Sequence, residues 1–218
     1  MLIEEIMEKN VHFVGPESTA LEALLITQEK RVRHIPVVEE GKVIGILSDR
    51  DLRDVKPSIL SPEQDDLLAT TKVKDIMRKP VITVHPLDAM EDAARIIYEH
   101  KIGCLPVVQN DRLVGIITST DLLHSLVVVM GVAQPGSHVE IDVPDKPGAL
   151  LDITRIIKEQ GINIISIYVT PGKTENRRTI VLRVGAFDTR AIVDSIVEAG
   201  YNMIFPLPKR LYEEHRNE

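Results

Sequence analysis

Cysteine is nearly absent. Cys104 stands alone among 218 residues, which excludes an intramolecular disulfide and any cysteine-based zinc pattern and agrees with a reducing compartment. No stretch reaches the roughly 18 consecutive apolar residues that a membrane helix needs; the longest candidate, Leu122 to Val132, is interrupted by His124 and Ser125. The opening Met1-Leu2-Ile3-Glu4-Glu5 lacks the positive n-region and apolar core of a signal peptide, so a cytoplasmic location is expected. An excess of basic charge is also missing. With 26 Lys and Arg against 33 Asp and Glu, the net charge of −7 argues against a broad electrostatic grip on nucleic acid, while permitting a local basic pocket.

The residue constellations of catalysis are missing too. None of the seven histidines (His12, His34, His85, His100, His124, His138, His215) forms a His-x-His or His-Glu-x-x-His metal pattern. Neither a Gly-x-Ser-x-Gly elbow, a P-loop nor a Gly-x-Gly-x-x-Gly fingerprint occurs. Cys104 lies beside a strand proline and reads as a small strand residue rather than a nucleophile. No catalytic residue, no metal and no required cofactor are therefore expected.

What is present is ordinary globular composition, 44% hydrophobic and 27% charged, at a length that suits one large domain or two to three small ones. An internal repeat resolves that choice. Laying Ile3–Leu52 over Val73–Leu122 at a fixed offset of 70, without a gap, gives 16 identities in 50 positions, where chance gives about three. The matches include Ile6-Met7 on Ile76-Met77, Pro36-Val37-Val38 on Pro106-Val107-Val108, Gly45-Ile46 on Gly115-Ile116 and Asp51-Leu52 on Asp121-Leu122.

Both copies follow one grammar. Val11–Val14 and Val81–Val84 read as brief strands closed by Pro16 and Pro86, and Ser18 and Asp88 as helix N-caps. Ala20, Ala23, Leu24 and Thr27, and then Ala89, Ala93, Ile96 and Ile97, recur at helical spacing. Two strands follow in each copy, Ile35–Val38 with Lys42–Leu47 and Leu105–Val108 with Arg112–Ile117, joined by connectors of hairpin composition, Glu39-Glu40-Gly41 and Gln109-Asn110-Asp111. A second helix starts near Asp49 and near Ser119. The unit is β-α-β-β-α, and one copy alone would not bury both helix faces, so the copies should pair. Between them, Arg53–Lys72 reads as a linker with a short added helix opening at Pro62 after Ser61.

Each copy ends its hairpin in Gly-hydrophobic-hydrophobic-Ser/Thr-x-x-Asp: Gly45-Ile46-Leu47-Ser48-Asp49-Arg50-Asp51 and Gly115-Ile116-Ile117-Thr118-Ser119-Thr120-Asp121. A strand that ends in Ser or Thr and turns directly into a helix aims backbone N–H groups and a hydroxyl at one point, which suits a phosphate. An Asp three residues on can accept from ribose hydroxyls. The same residues equally fit a helix cap that needs no ligand. Copy one carries Arg31-Val32-Arg33-His34 and Arg50 where copy two carries Lys101-Ile102-Gly103-Cys104 and Thr120, so the first cleft should hold the more phosphate-rich ligand. The Asp49/Asp51 pair suggests an acid and a base, but its counterpart is Ser119/Asp121, so only the ribose-type Asp recurs.

On this motif, occurring twice, residues 1 to 128 resemble the tandem cystathionine-β-synthase (CBS) domain pair. The resemblance implies two β-α-β-β-α halves packed through their sheets. It also implies adenine nucleotide (AMP, ADP or ATP) as regulatory ligand, with Ser48, Asp51, Thr118 and Asp121 on phosphate and ribose. The base would lie against Ile35-Pro36 and Leu105-Pro106, with Arg33, His34 and Arg50 flanking the first cleft.

After Ala133-Gln134-Pro135-Gly136-Ser137, which reads as a hinge, the grammar changes. His138–Val143, a helix with apolar face Leu150, Ile153, Ile156 and Ile157 capped by Gly161, strands Ile162–Thr170 and Thr179–Val184, a helix Asp188–Ala199 capped by Gly200, and Tyr201–Phe205 make β-α-β-β-α-β. With Asp145-Lys146-Pro147-Gly148-Ala149-Leu150 and Gly161-Ile162-Asn163-Ile164, this third resembles the ferredoxin-like ACT domain. That likeness implies amino-acid binding at Asp145, Gly148 and Asn163, or a ligand-free dimerisation plate.

The expected fold is α+β, divided as 1–70 (repeat 1 with linker), 71–132 (repeat 2) and 133–218 (ACT). A CBS pair followed by an ACT module resembles the bacterial acetoin utilization (AcuB) family, which implies a role linked to acetoin catabolism. Three functions stay open: a ligand sensor acting on a protein partner, a docking scaffold, or an enzyme with an unrecognised site. A symmetric homodimer is expected in each case.

Overall fold

The computed structural model describes residues 1–55 and 64–207. The chain folds as two units, Met1–His124 and Ser125–Glu218.

In the first unit α1 (Ile3–Ile6), α2 (Ala20–Glu29), β1 (His34–Glu39), β2 (Lys42–Ser48) and α3 (Asp49–Asp54) make up copy one; α4 (Gln64–Thr70) bridges the copies. Copy two is α5 (Val73–Ile76), α6 (Met90–His100), β3 (Cys104–Gln109), β4 (Arg112–Thr118) and the start of α7 (Ser119–Val129), a helix that passes into the second unit at Ser125. Pro57, Ser58 and the helix start read at Ser61-Pro62 lie outside the described residues. β1–β2 and β3–β4 are antiparallel hairpins with equivalent registers, Pro36 opposite Ile46 and Pro106 opposite Ile116. Their two-residue turns, Glu40-Gly41 and Asn110-Asp111, take positive φ throughout, as turns matching strand twist require.

Two local expectations are corrected. Val11–Val14 and Val81–Val84 form no strands; only Val14 and Val84 touch the hairpins, as single parallel bridges to Val37 and Val107. The N-caps fall one residue later than read. Thr19 Oγ1 accepts from Glu22 N at 3.2 Å and Glu22 returns the bond, whereas Ala89 caps α6 with no side-chain hydrogen bond. The Ser18 and Asp88 carbonyls accept instead from Val73 N (2.9 Å) and Ile3 N (3.0 Å), so these residues are tied into the other copy's leading segment.

That exchange organises the whole unit. The start of copy one seats on copy two: Met90 N donates to Met1 O, and Glu8 and Ile116 pair through both backbone groups at 2.9 and 3.0 Å. The start of copy two seats on copy one, where Arg78 and Ile46 pair at 2.9 and 3.2 Å. Two cores result, each completed by the opposite leader. Ile35, Val37, Leu47 and Leu52 pack with Val73 and Leu68, while Leu105, Val107, Ile117 and Leu122 pack with Ile3. Burying a side chain such as Ile3 or Val73 contributes about 1.5–3 kcal/mol, so neither hairpin is covered without its partner copy. Gly45 and Gly115 make the close approach possible. A Cβ built on Gly45 would lie 2.2 Å from Met77 Sδ, and one on Gly115 would lie 2.4 Å from Met7 Sδ.

The second unit runs β5 (Ser137–Pro144), α8 (Ala149–Glu159), β6 (Ile164–Pro171), β7 (Arg177–Val184), α9 (Arg190–Glu198), β8 (Asn202–Phe205), the expected β-α-β-β-α-β. Its sheet has the antiparallel order β6-β7-β5-β8. Alternating Val139, Ile141, Val143 and Ile180, Leu182, Val184 meet Ile153, Ile157, Ile192 and Ile196 from the helices. Leu150, expected on the apolar face of α8, is exposed, and Ala149 takes the buried place one position earlier. The segment read as a hinge is tied to β7, since Arg183 Nε and Nη2 both donate to Gln134 O at 3.1 and 2.7 Å.

Candidate functional site

The strand-to-helix turn at Ser48 builds a cleft of about 580 Å³. Ser48 caps α3, its Oγ accepting from Asp51 N at 3.2 Å, and Asp51 Oδ2 in return accepts from Ser48 N at 2.9 Å and from the Ser48 hydroxyl. This pins a carboxylate against the cleft wall with 9% of its surface exposed. The other oxygen, Oδ1, accepts from Arg78 Nε at 2.7 Å and lies 2.6 Å from Arg78 Nη2. Burial pushes the Asp51 carboxyl up, but the hydrogen bonds from Ser48 and the Arg78 guanidinium outweigh it and hold the group below the usual carboxylate range. Asp51 is thus an anion in the cleft lining, with Oδ2 held by Ser48 and Oδ1 by Arg78.

The lining is basic. Arg33, Arg50, Arg78, Lys79 and Lys101 face it against only Asp49 and Asp51, in a chain whose net charge is −7. The apolar part of the wall is Ile46, Val81, Ile82, Ile102 and Pro106. His34 stands against Gly103, where an added Cβ would lie 2.6 Å from Nε2. Burial first, and the neighbouring Arg33 second, lower the His34 pKa and keep the ring neutral. Burial pushes the Cys104 thiol up to about 12, so at neutral pH it is a protonated, small wall residue.

Thr118 and Asp121 repeat the turn in copy two. Asp121 Oδ2 accepts from Thr118 N at 2.8 Å and from Thr118 Oγ1 at 2.7 Å. Arg33 Nη2 donates to Thr120 Oγ1 at 3.4 Å, placing that arginine between the two motifs. The position equivalent to Arg78 holds Glu8, whose Oε1 accepts from Asn10 N at 2.7 Å.

Several residues named from sequence therefore meet in one place: Arg33, His34, Ser48, Arg50, Asp51 and Pro106. Ile35, Pro36, Leu105, Thr118 and Asp121 do not line it. Ile35 and Leu105 have no exposed surface and point into the two cores, because the two-residue pleat that turns His34 and Pro106 one way turns Ile35 and Leu105 the other. The apolar wall comes instead from Ile46 and, in the opposite copy, from Val81, Ile82, Ile102 and Pro106. Arg78, Lys79 and Lys101 were missed for the same reason: each motif was read against its own copy. The available signal was Glu8 aligning with Arg78, a reversal of charge inside a matching segment.

In the second unit Asp145 accepts from Arg178 Nε at 2.9 Å, and Gly148 is the residue before α8, at φ +100°. Asn163 follows the other end of that helix, its carbonyl accepting from Gly185 N at 2.9 Å. The eleven residues of α8 span about 16 Å at 1.5 Å per residue, so a single chain does not bring Gly148 and Asn163 to one ligand. Among the described residues there is no group of three or more metal-ligating side chains, and no helix long and apolar enough to cross a membrane.

The CBS domain model matches residues 3–58 and 73–128, and the ACT domain model matches 137–200. A CBS domain-containing protein of Dictyostelium discoideum is 30% identical over 143 residues, 63% of this chain and 99% of its own. An inosine-5′-monophosphate dehydrogenase of Methanocaldococcus jannaschii matches at 32% over 55% of this chain but only 22% of its own length. Among solved structures, one from Vibrio cholerae assigned as an acetoin utilization protein (AcuB) is 30% identical, covering 62% of this chain and 96% of that one, at TM-score 0.52. CBSX2 in complex with AMP is 29% identical over 59% of this chain and 97% of its own, at TM-score 0.50. The CBS pair of MJ0100, with 5′-methylthioadenosine and S-adenosyl-L-methionine, is 26% identical over 58% and 95%, at TM-score 0.50.

Proposed function

The chain belongs to the CBS-domain family, carrying a CBS pair followed by an ACT domain, and from that premise we propose that it is a regulatory sensor binding an adenine nucleotide of the AMP, ADP or ATP type. The observation that carries this reading is the cleft itself: a capped, ionised Asp51 and a Ser48 hydroxyl facing five basic side chains and an apolar wall. Ribose hydroxyls fit the carboxylate, phosphates fit Ser48, Arg33 and Arg50, and the base fits between Ile46, Val81, Ile82 and Pro106. AMP in CBSX2 supports the ligand class. Thr118 and Asp121 form the second, less basic site in this reading.

The chain acts by regulation rather than turnover, in the cytoplasm, as a homodimer presenting a ligand-dependent surface to a protein partner. Such coupling needs a ligand of different affinity for two states of the protein. An amino-acid site using Asp145, Gly148 and Asn163 would need a second copy to bring its parts together. The likeness to the Vibrio cholerae structure supports a link to acetoin catabolism.

The test is a thermal-shift and calorimetry panel of AMP, ADP, ATP, adenosine, NAD, S-adenosylmethionine and amino acids on the full chain. A ligand at 100 times its Kd stabilises by about 2.7 kcal/mol. Adenine nucleotides should bind, and Asp51→Ala should weaken them more than Asp121→Ala. If no nucleotide moves the melting temperature, the sensor reading is wrong.

A further inference from the structure

We propose that Arg78 selects phosphate-bearing adenosine ligands over bare adenosine in the first cleft, by giving up Asp51 to the ribose and taking phosphate in exchange. The inference rests on the nucleotide reading above and assigns a selectivity residue to it.

The two oxygens of Asp51 are held differently. Oδ2 is bound by the backbone and hydroxyl of Ser48, so releasing it would undo the cap of α3. Oδ1 is bound by Arg78, whose side chain is 67% exposed against 8% for that of Asp51. The arginine can therefore swing into water, where what it loses is its ion pair, whereas the carboxylate cannot be left buried and unpaired. A ribose hydroxyl arriving at Oδ1 would replace one donor with another. The displaced guanidinium then needs an anion, and phosphate offers it a bidentate partner in the same cleft. Adenosine displaces Arg78 without supplying that partner, so it should bind poorly.

The pivot is fixed, because Arg78 N and O are both paired with Ile46 and only the side chain is free to swing. The charge at this position is not needed to hold the copies together. Glu8 occupies the equivalent place, with the same two backbone bonds to Ile116, and carries the opposite charge. The arginine is thus an addition of the first cleft rather than a requirement of the seam.

The experiment is calorimetry of ATP, AMP and adenosine on the full chain, comparing wild type with Arg78→Gln, Arg78→Lys and Asp51→Asn, each checked by melting temperature. Arg78→Gln should weaken ATP and AMP tenfold or more while leaving adenosine unchanged or tighter, since Asp51 no longer has to be vacated. Arg78→Lys, a cation without the bidentate fork, should fall between. Asp51→Asn should weaken all three ligands. Equal weakening of adenosine and ATP by Arg78→Gln, or no change in either, would overturn the proposal while leaving the sensor reading standing. If the wild type binds none of the three, the sensor reading fails and this selectivity fails with it. Should Arg78→Gln melt early, the Arg78→Lys comparison decides: a uniform loss across the three ligands refutes exchange.

Discussion

The contact between Gly45 and Met77 offers a direct test of how the copies interlock. In Gly45→Ala the new Cβ would sit 2.2 Å from Met77 Sδ, 2.9 Å from Cγ and 3.0 Å from Cβ. Rotating the Met side chain relieves the first two contacts. It cannot relieve the third, because Cβ is fixed by the backbone, so the α5 segment must retreat by several tenths of an ångström to reach an ordinary separation of about 3.5–4.0 Å. Overpacking of this kind costs about 1–3 kcal/mol, a drop on the order of 3–10 °C in the melting temperature of a unit this size. The decisive assay is a double-mutant cycle. Met77→Ala removes most of the obstruction, so Gly45→Ala should cost less in that background, with a coupling of about 0.5–3 kcal/mol. Met7→Ala should show no such coupling to Gly45→Ala, because Met7 rests on Gly115. If Gly45 couples to Met7 and not to Met77, each leading segment packs on its own copy and the exchanged arrangement is wrong.

Two further outcomes are expected. His34 has a folded-state pKa below its unfolded value of about 6.5, so the stability its neutral ring confers is full above that pH and is lost as pH falls toward the folded value. Denaturation midpoints should therefore drop more between pH 7.5 and 5.5 in wild type than in His34→Gln, and an equal drop would remove His34 as the cause. Gly148 sits at φ +100° with nothing within 4 Å of where a Cβ would stand. Gly148→Ala should thus cost only backbone strain, about 1–2 kcal/mol, read by calorimetry on the second unit; a loss beyond 3 kcal/mol would point to a packing contact instead.

Much of the fold was legible because its signals are local. The hairpin register follows from alternation around Glu40-Gly41 and Asn110-Asp111, and the second unit's element order follows from the change of period between helices and strands. The N-caps were misplaced because Ser18 and Asp88 have good capping chemistry but lie one residue too early, where their backbone carbonyls accept from Val73 and Ile3 and the Asp88 carboxylate accepts from His85 N. Half the cleft was legible as well. Ser48 and Asp51 bond one another across three residues, and any turn of that sequence can form the pair. Ile35 and Leu105 were set at the cleft from their place beside the strand prolines, and that adjacency does not say which side of the pleat is covered.

The sequence by itself determined that there are two copies, what each is made of, and where in each a strand-to-helix turn with a hydroxyl and an acidic residue stands. It could not determine which copy each leading segment would cover. Ile6-Met7 and Ile76-Met77 are identical, as are Gly45-Ile46 and Gly115-Ile116, so either pairing satisfies the same local preferences. Only the tertiary structure chose the exchanged pairing, and with it put Arg78 on Asp51 and joined the walls of one cleft from two copies 70 residues apart. The physical reason is that capping and alternation act within a few residues along the chain, whereas core burial and charge pairing act through space and depend on which surfaces the connecting chain allows to meet.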